Sequence, residues 1–228
     1  IDCIAIEESK SLCSFLGSKN VEKVFHSCKE DIEALLSWTD IRLVNFFDTQ
    51  LANAFLGETF SISYQDLVKQ ILGVSIDKNE TRSNWIRRPL SNSQLAYAAS
   101  DVQFLLELYS YQMNIFQDSN KLKWFKEELE FITSKIYLTQ DLKVNNQSRE
   151  ESNSVSKSKE NILFNKFNLL VEDISQREKI NSTLFFSKKN QKEFISLILK
   201  RGLNSALLEI TDWRKSLLRK NLFEIFKN

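Results

Sequence analysis

Residues 21–38 read VEKVFHSCKEDIEALLSW, and this stretch carries the pattern that most directly indicates the fold. VEKVFHS has the composition of a short strand, whereas Leu35, Leu36 and Trp38 in KEDIEALLSW recur at helical spacing. Strands that alternate with helices are typical of α/β domains. The stretch therefore predicts an α/β fold for this part of the chain.

The same alternation extends to both sides of this stretch. Further strands are predicted at DCIAI (2–6) and IRLVNF (41–46), and helices at SLCSFLG (11–17), DTQLANAFL (48–56), YQDLVKQILG (64–73) and WFKEELEFITSKI (124–136). Gly57 and Gly73 stand where two of these helices end, a position that glycine favours. A longer helix is predicted over about 91–116, after a polar loop and Pro89. We therefore expect an α/β domain over residues 1–140.

Beyond this domain the composition changes twice. Residues 143–160, KVNNQSREESNSVSKSKE, contain almost no apolar side chains, so they bury too little surface to offset the entropy cost of ordering. This predicts a flexible polar linker over 141–160. The following pattern is purely helical, which predicts a small helical bundle over 161–228.

The two parts also differ in charge, which the net charge of +1 conceals. Residues 1–140 hold 14 Lys and Arg against 19 Asp and Glu, whereas residues 141–228 hold 17 against 11. An acidic front part and a basic back part suit a metal-binding site joined to a module that binds a polyanion. Unrelated proteins show similar differences, so the charge pattern alone decides nothing.

Composition excludes several other functions. His26 is the only histidine, so any hydrolytic chemistry must rest on carboxylates unless His26 takes part. Cys3, Cys13 and Cys28 lack CxxC spacing, which indicates free thiols in a reducing cytoplasm. No apolar run approaches the length of a membrane span, so we expect no membrane partner.

The predicted helix over 91–116 places a carboxylate away from its polar side. Tyr97 and Asp101 share a face with Phe104 and Leu108. A second, broader apolar stripe consists of Leu95, Ala98, Ala99, Val102, Leu105, Leu106 and Tyr109. We therefore expect this helix to be wedged between two layers, with Asp101 off its solvated face.

A second carboxylate shows the same feature. Asp31 lies on the apolar side of its predicted helix, between Cys28 and Trp38, while Glu30 and Glu33 point outward. Two inward carboxylates in different helices are what a divalent-cation site with oxygen ligands requires. Unrelated ion pairs or a loop cap explain the same pattern, and the residues alone leave both interpretations open.

Four segments in this order resemble the ribonuclease D family: HSCKEDIEALL (26–36), FFDTQLANAFLG (46–57), DKNETRSNWIRRPLS (77–91) and YAASD (97–101). That family belongs to the DEDD superfamily of 3′→5′ exonucleases, in the subgroup with tyrosine in its third motif. The basic bundle, with WRKSLL (213–218), is similar to the HRDC module of such enzymes. The resemblance implies an α/β, DnaQ-like (ribonuclease H-like) exonuclease domain followed by an all-α HRDC-like domain.

The resemblance also implies roles for individual residues. Asp31 matches the acidic residue of the second motif, and Tyr97 and Asp101 match the tyrosine and acidic residue of the third. These residues would hold two Mg²⁺ or Mn²⁺ ions and orient water for attack on the 3′-terminal phosphodiester, releasing nucleoside 5′-monophosphates.

One family motif has no counterpart. The opening segment IDCIAIEESK (1–10) lacks the Asp-x-Glu of the first motif, because Asp2, Glu7 and Glu8 do not have that spacing. We expect that the chain is a fragment lacking this motif, holds two metals poorly and is nearly inactive.

Two sets of residues are candidates for RNA contacts. In the loop before Pro89, Arg87 and Arg88 are suited to phosphate and Trp85 to stacking on a base, although Trp85 as a core anchor explains the loop equally. His26 is a candidate substrate contact, or a hydrogen-bonded core histidine. In the basic bundle, Lys188, Lys189, Arg214 and Lys215 predict RNA binding, with a merely solvated face as the alternative.

The expected function is therefore a 3′→5′ exoribonuclease of the ribonuclease D type. The resemblance implies transfer-RNA precursors and other small structured RNAs as substrates, with no obligate protein partner. The alternatives are a non-catalytic RNA-binding protein that retains the nuclease fold and a related 3′→5′ exonuclease of DNA.

Overall fold

The structure is a computed structural model and describes residues 2, 4, 10–39, 41–77, 80–117, 119–144 and 157–225. The chain forms two compact units: unit 1 comprises 1–53 and 61–119, and unit 2 comprises 54–60 and 120–228. The domain boundary predicted at 140 lies inside a helix of unit 2. The predicted linker centres on 145–156, which lie outside the described residues, while 141–144 and 157–160 are helical.

Unit 1 alternates two short strands with helices, as the sequence predicts. Its elements are α1 (Lys10–Leu16), β1 (Lys23–Phe25), α2 (Lys29–Thr39), β2 (Phe46–Asp48), α3 (Thr49–Phe55, which continues into unit 2), α4 (Tyr64–Leu72), α5 (Asn92–Gln103) and α6 (Leu105–Gln117). Strands β1 and β2 pair in parallel, with Val24 opposite Phe47 and Phe25 opposite Asp48. The strand predicted at 41–46 is wrong in extent, because pairing begins only at Phe46. The strand predicted at 2–6 falls largely outside the described residues.

Helix α4 confirms the local signals that bound it. The Ser63 hydroxyl accepts the Asp66 N–H at the N-terminus, and Gly73 ends the helix with φ of 73°, the left-handed conformation that glycine adopts readily. The buried face of α4 packs with α6 in one apolar cluster: Ile62, Tyr64, Leu67, Val68, Leu105 and Leu108. Phe104, between α5 and α6, packs against this cluster.

The single helix predicted over 91–116 is wrong, because the chain breaks it at Phe104. The Phe104 N–H donates to the Tyr64 hydroxyl (2.9 Å) and its backbone leaves the helical region, with φ of −107° and ψ of 9°. The expected burial of the broad apolar stripe is also wrong: Leu95, Val102 and Leu106 are 53%, 60% and 68% exposed. Leu105 of the same stripe is buried in the cluster with α4, so the stripe is covered only in part.

Unit 2 contains the predicted helical bundle. Its helices are α7 (Lys121–Val144), α8 (Lys157–Glu178), α9 (Ser182–Phe186), α10 (Lys188–Arg201), α11 (Leu203–Leu208) and α12 (Asp212–Ile225). The core is strongly aromatic: the Trp213 ring stacks on Trp124 (5.7 Å between centroids) and the Phe167 ring stacks on Phe194 (5.4 Å). Within the described ranges of both units, no helix combines the length and the apolarity of a membrane span.

Candidate active site

Asp31 lies in the first turn of α2, directly after β1. The predicted inward orientation is wrong, because Asp31 is exposed, as are Glu30 and Glu33. Partial desolvation and then the nearby negative charges of Asp48 and Glu30 raise the pKa of the Asp31 carboxyl. The helix thus presents a carboxylate at the surface in a strongly negative setting.

Asp101 lies near the C-terminal end of α5 and is half-buried. The only hydrogen bond to its side chain in the described structure comes from the Gln65 amide, at 3.5 Å. Desolvation raises the pKa of the Asp101 carboxyl. In the described part of the chain neither Asp31 nor Asp101 forms an ion pair with lysine or arginine, so the salt-bridge explanation of their placement receives no support.

Tyr97 stands one turn before Asp101 but engages the preceding loop. Its hydroxyl hydrogen-bonds Thr81 Oγ1 (3.0 Å), and its ring lies against the Trp85 ring at 5.9 Å between centroids. The Trp85 indole N–H donates to the Glu80 carbonyl (3.1 Å). Trp85 therefore has a structural role within the loop, which favours the anchoring interpretation over base stacking. Tyr97 therefore joins helix α5 to the loop over 80–90.

A capping box fixes the start of α5 and ties the same loop to it. The Ser91 hydroxyl accepts the Gln94 N–H (3.1 Å), and the Gln94 side-chain oxygen accepts the Ser91 N–H (3.0 Å). The Gln94 amide also donates to Ser83 Oγ (2.9 Å) and to the Asn84 carbonyl (3.2 Å). These bonds position Tyr97 and Asp101 relative to the loop that carries the candidate RNA contacts.

The two loop arginines differ in their availability. Arg87 is exposed. Arg88 forms a bidentate pair with Asp2, with both nitrogen–oxygen distances at 2.6 Å, and donates to the Trp85 and Arg87 carbonyls. Arg88 can therefore contact an RNA phosphate only after it releases Asp2, whereas the Arg87 side chain is already accessible.

His26 has internal partners on both ring nitrogens. Nδ1 lies 2.9 Å from Thr49 Oγ1, and Nε2 lies 3.0 Å from the Ile62 carbonyl oxygen. Burial lowers the pKa of His26, because desolvation disfavours the charged ring. The structure favours the hydrogen-bonded core histidine over the predicted contact with RNA.

The candidate RNA-binding residues of unit 2 divide into one buried arginine and three surface lysines. The prediction that Arg214 belongs to a basic surface is wrong, because its side chain is only 8% exposed and pairs with Glu128. Lys188 and Lys189 are exposed and lie near Glu172 (3.5 Å) and Glu193 (3.9 Å). Lys215 pairs with Asp212 at 2.7 Å. Each lysine therefore has a carboxylate that competes with an RNA phosphate.

Asp48 is a residue of this region that the motif search missed. It ends β2, is 6% exposed, and accepts the backbone N–H groups of Ser27, Cys28, Gln50 and Leu51. An aspartate directly before an apolar helical pattern is the signal of an N-cap, and FFDTQLANAFL carries it. The sequence interpretation had counted this residue as the first of the helix.

The metal-binding potential of the site is partial. Asp31 and Asp101 offer oxygen ligands of the kind that Mg²⁺ and Mn²⁺ prefer, in settings that disfavour their charged forms without a cation. Among the residues that the structure describes, however, no three His, Cys, Asp or Glu side chains are grouped to hold a metal. Asp31 and Asp101 therefore remain two candidate ligands among the described residues.

A cavity of about 560 Å³ adjoins this region. Tyr97 and Phe104 contribute its aromatic wall, and Asp77 and Glu80 contribute carboxylates from the segment that precedes the loop. Asp101 does not line the cavity. The cavity therefore lies beside Tyr97, separate from the Asp101 carboxylate.

Sequence comparisons match this part of the chain to known exonucleases. A profile of the 3′–5′ exonuclease family matches residues 1–117. Ribonuclease D of Shewanella sp. (strain ANA-3) is 36% identical over 142 residues, which are 62% of this chain and 37% of that protein. The chain thus spans little more than a third of the length of this relative.

Comparison with solved structures supports the fold. Escherichia coli RNase D, an exoribonuclease involved in structured RNA processing, matches 98% of this chain and 60% of its own, with a TM-score of 0.57 and 19% identity. Brucella melitensis NrnC with bound Mg²⁺ matches 65% of this chain and 72% of its own, with a TM-score of 0.55 and 22% identity. The fold of the front part is that of a ribonuclease H-like exonuclease domain. The chain belongs to the ribonuclease D family of 3′–5′ exonucleases.

Proposed function

We propose that this chain is part of a 3′→5′ exoribonuclease that removes terminal nucleotides as 5′-monophosphates, with divalent metal ions at Asp31 and Asp101. The observation that carries the proposal is the pair of carboxylates with raised pKa and no cationic partner in the described structure. A bound divalent cation would lower both pKa values and offset the desolvation of the charged forms.

The roles follow from the chemistry of each side chain. Asp31 and Asp101 would hold the metal, which supplies Lewis-acid stabilisation and lowers the pKa of a bound water. Tyr97 would orient the attacking water through its hydroxyl. That hydroxyl bonds Thr81 at 3.0 Å, and because a phenol both donates and accepts, it has capacity left for the water.

The number of carboxylates limits what this chain does alone. Two acidic ligands hold two divalent ions poorly, and no Asp-x-Glu of the kind that forms the family's first motif precedes Asp31 in the sequence. We propose that the 228-residue chain is nearly inactive and that a longer form with an Asp-x-Glu motif is active.

The test uses a 5′-labelled RNA with Mg²⁺ and follows shortening from the 3′ end. The longer form should release 5′-monophosphates, Asp101→Asn should abolish release with an unchanged fold, and Tyr97→Phe should slow it. An Asp101→Asn variant of unchanged rate contradicts the metal-ligand role. Robust Mg²⁺-dependent release by the 228-residue chain contradicts the proposed inactivity.

The substrate class is also a proposal. Ribonuclease D relatives and Brucella melitensis NrnC bound to pGG favour RNA, and we extend this to transfer-RNA precursors and small structured RNAs in the cytoplasm. The same assay with a DNA strand of matched sequence separates an exonuclease of DNA from one of RNA. Binding of RNA without shortening by the longer form would indicate the non-catalytic alternative.

We assign RNA binding to the helical bundle of unit 2, which we take to be HRDC-like. Its exposed Lys188 and Lys189 support this, because sequence-independent binding relies on accessible cations. Replacing both by alanine should weaken RNA binding and reduce its salt dependence by about two phosphate contacts. Replacing Lys19 and Lys69, two exposed lysines of unit 1, is the control. Equal losses of RNA affinity in the two double variants would contradict an RNA-binding site in the bundle.

A further inference from the structure

Asp48 occupies an unusual position for an acidic residue near a candidate metal site. Its carboxylate is buried and both oxygens accept backbone hydrogen bonds: Oδ1 accepts from Ser27 (3.0 Å), Gln50 (2.8 Å) and Leu51 (3.1 Å), and Oδ2 accepts from Cys28 (2.9 Å). A carboxylate has about four acceptor sites, so these donors saturate it. Asp48 is therefore not available as a metal ligand.

The four bonds connect two helix starts to the sheet. Gln50 and Leu51 lie in the first turn of α3, directly after Asp48 itself. Ser27 and Cys28 form the turn between β1 and α2, and Asp48 pairs in register with Phe25 at the end of β1. One side chain thus fixes where both helices leave the two strands.

The turn held by Asp48 leads directly into Asp31. Ser27 adopts φ of 59°, a conformation that non-glycine residues rarely hold without support. The Cys28 carbonyl accepts the Ile32 N–H (2.9 Å), which closes the first turn of α2 around Asp31. Displacement of the Ser27–Cys28 turn therefore shifts Asp31 with it.

We propose that Asp48 is a positioning residue that fixes the Asp31 carboxylate for metal binding by holding the turn between β1 and α2. This inference rests on the proposed function, since it assigns Asp48 a role in the same site. Thr49 reinforces the arrangement, because its hydroxyl lies 3.1 Å from the Phe25 carbonyl oxygen, at the same strand end.

The four hydrogen bonds that the Asp48 carboxylate accepts form a clamp, and Asp48→Asn separates the bonds of Oδ1 from the bond of Oδ2. The amide oxygen can keep the three bonds of Oδ1, whereas the amide NH₂ would face the Cys28 N–H, and two donors do not bond. The bonds to Gln50, Leu51 and Ser27 should therefore stay, while the bond to the Cys28 N–H at the start of α2 is lost. Amide hydrogen exchange should become at least tenfold faster at Cys28 and Ile32 and change less than threefold at Gln50 and Leu51.

Metal binding gives the readout that a merely structural role would not move. The probe is Mn²⁺ alone, titrated into the 228-residue chain with free Mn²⁺ measured by electron paramagnetic resonance. Asp48→Asn should raise the apparent Kd at least fivefold in the native background and less than twofold in an Asp31→Asn background. Leu16→Ala, a core substitution in α1 of the same unit, is the stability control and should leave the Kd within twofold.

The outcomes distinguish this inference from the function on which it rests. Unchanged Mn²⁺ affinity in Asp48→Asn, or an equal loss with and without Asp31, overturns the positioning role. Unchanged exchange at Cys28 and Ile32 overturns the clamp itself. Mn²⁺ binding that ignores Asp31→Asn, with the predicted exchange pattern present, overturns the proposed metal site and leaves the clamp standing.

Discussion

Arg214 offers the sharpest separation between a structural and an RNA-binding role. Its guanidinium donates to Glu128 through two nitrogens, to Thr211 Oγ1 (3.0 Å), and to the Phe185 (2.7 Å) and Leu184 (2.8 Å) carbonyls. The two paired side chains are 8% and 6% exposed. Arg214→Ala removes all of these donors at once and leaves a buried carboxylate.

The expected loss of stability in Arg214→Ala follows from the uncompensated charge of Glu128. In Arg214→Ala, Glu128 keeps the Trp213 indole N–H (2.9 Å) as a partner but loses its cation. Removing one partner of a buried ion pair costs about 3–5 kcal/mol, which is a large part of the roughly 5–15 kcal/mol that stabilises a typical domain. The half-buried neighbour Lys215 pairs with the exposed Asp212 at 2.7 Å, and Lys215→Ala should change stability far less than Arg214→Ala.

The assay is urea unfolding followed by tryptophan fluorescence. Replacing Trp38 and Trp85 by phenylalanine leaves Trp124 and Trp213 to report on unit 2 alone. We expect Arg214→Ala to lower the free energy of unfolding by at least about 3 kcal/mol. A loss below about 1 kcal/mol, accompanied by weaker RNA binding, would refute the structural role and restore Arg214 to the basic surface.

Three further predictions concern other sites. Gly57→Ala should destabilise unit 2 by more than Gly202→Ala in urea unfolding: both have positive φ, but only at Gly57 would the added Cβ meet a backbone atom, the Lys179 carbonyl oxygen at 2.8 Å; equal losses would contradict this. Asp101→Asn should stabilise the metal-free protein above pH 4, because desolvation raises the pKa of the native carboxyl and the protein therefore loses stability as pH rises and this group becomes charged; a destabilised variant in thermal melts would contradict this. Because the pKa of His26 is lowered, the unfolded chain binds more protons, so stability should fall as pH drops below 6.5. If the urea midpoint of His26→Asn falls with pH as steeply as that of the native protein, the pH dependence comes from another group.

The features predicted correctly from sequence are those encoded within a few neighbouring residues. Gly73 ends α4 because the left-handed conformation is local to that residue, and the VEKVFHS strand precedes α2 because the period of apolar residues changes there. Cys13 and Cys28 are free thiols, as their spacing predicts. Short-range patterns of this kind need no knowledge of distant partners.

The features that sequence analysis missed depend on distant residues. The helix break at Phe104 is set by the Tyr64 hydroxyl, 40 positions earlier. The burial of Arg214 depends on Glu128, 86 positions away, and a helical wheel shows only that Arg214 is charged. For the candidate site, the roles of Asp31, Tyr97 and Asp101 stay predictions, and the exposure of Asp31 was predicted wrongly because it depends on what packs around the start of α2.

We propose that Asp31 and Asp101 hold the same metal ion. The most direct test is Mn²⁺-induced broadening of backbone amide signals in the 228-residue chain, because paramagnetic broadening detects weak binding and maps its position. We predict that Mn²⁺ broadens signals around both residues and that either Asp31→Asn or Asp101→Asn removes both effects together. Broadening that survives around one residue when the other is replaced would contradict a shared site.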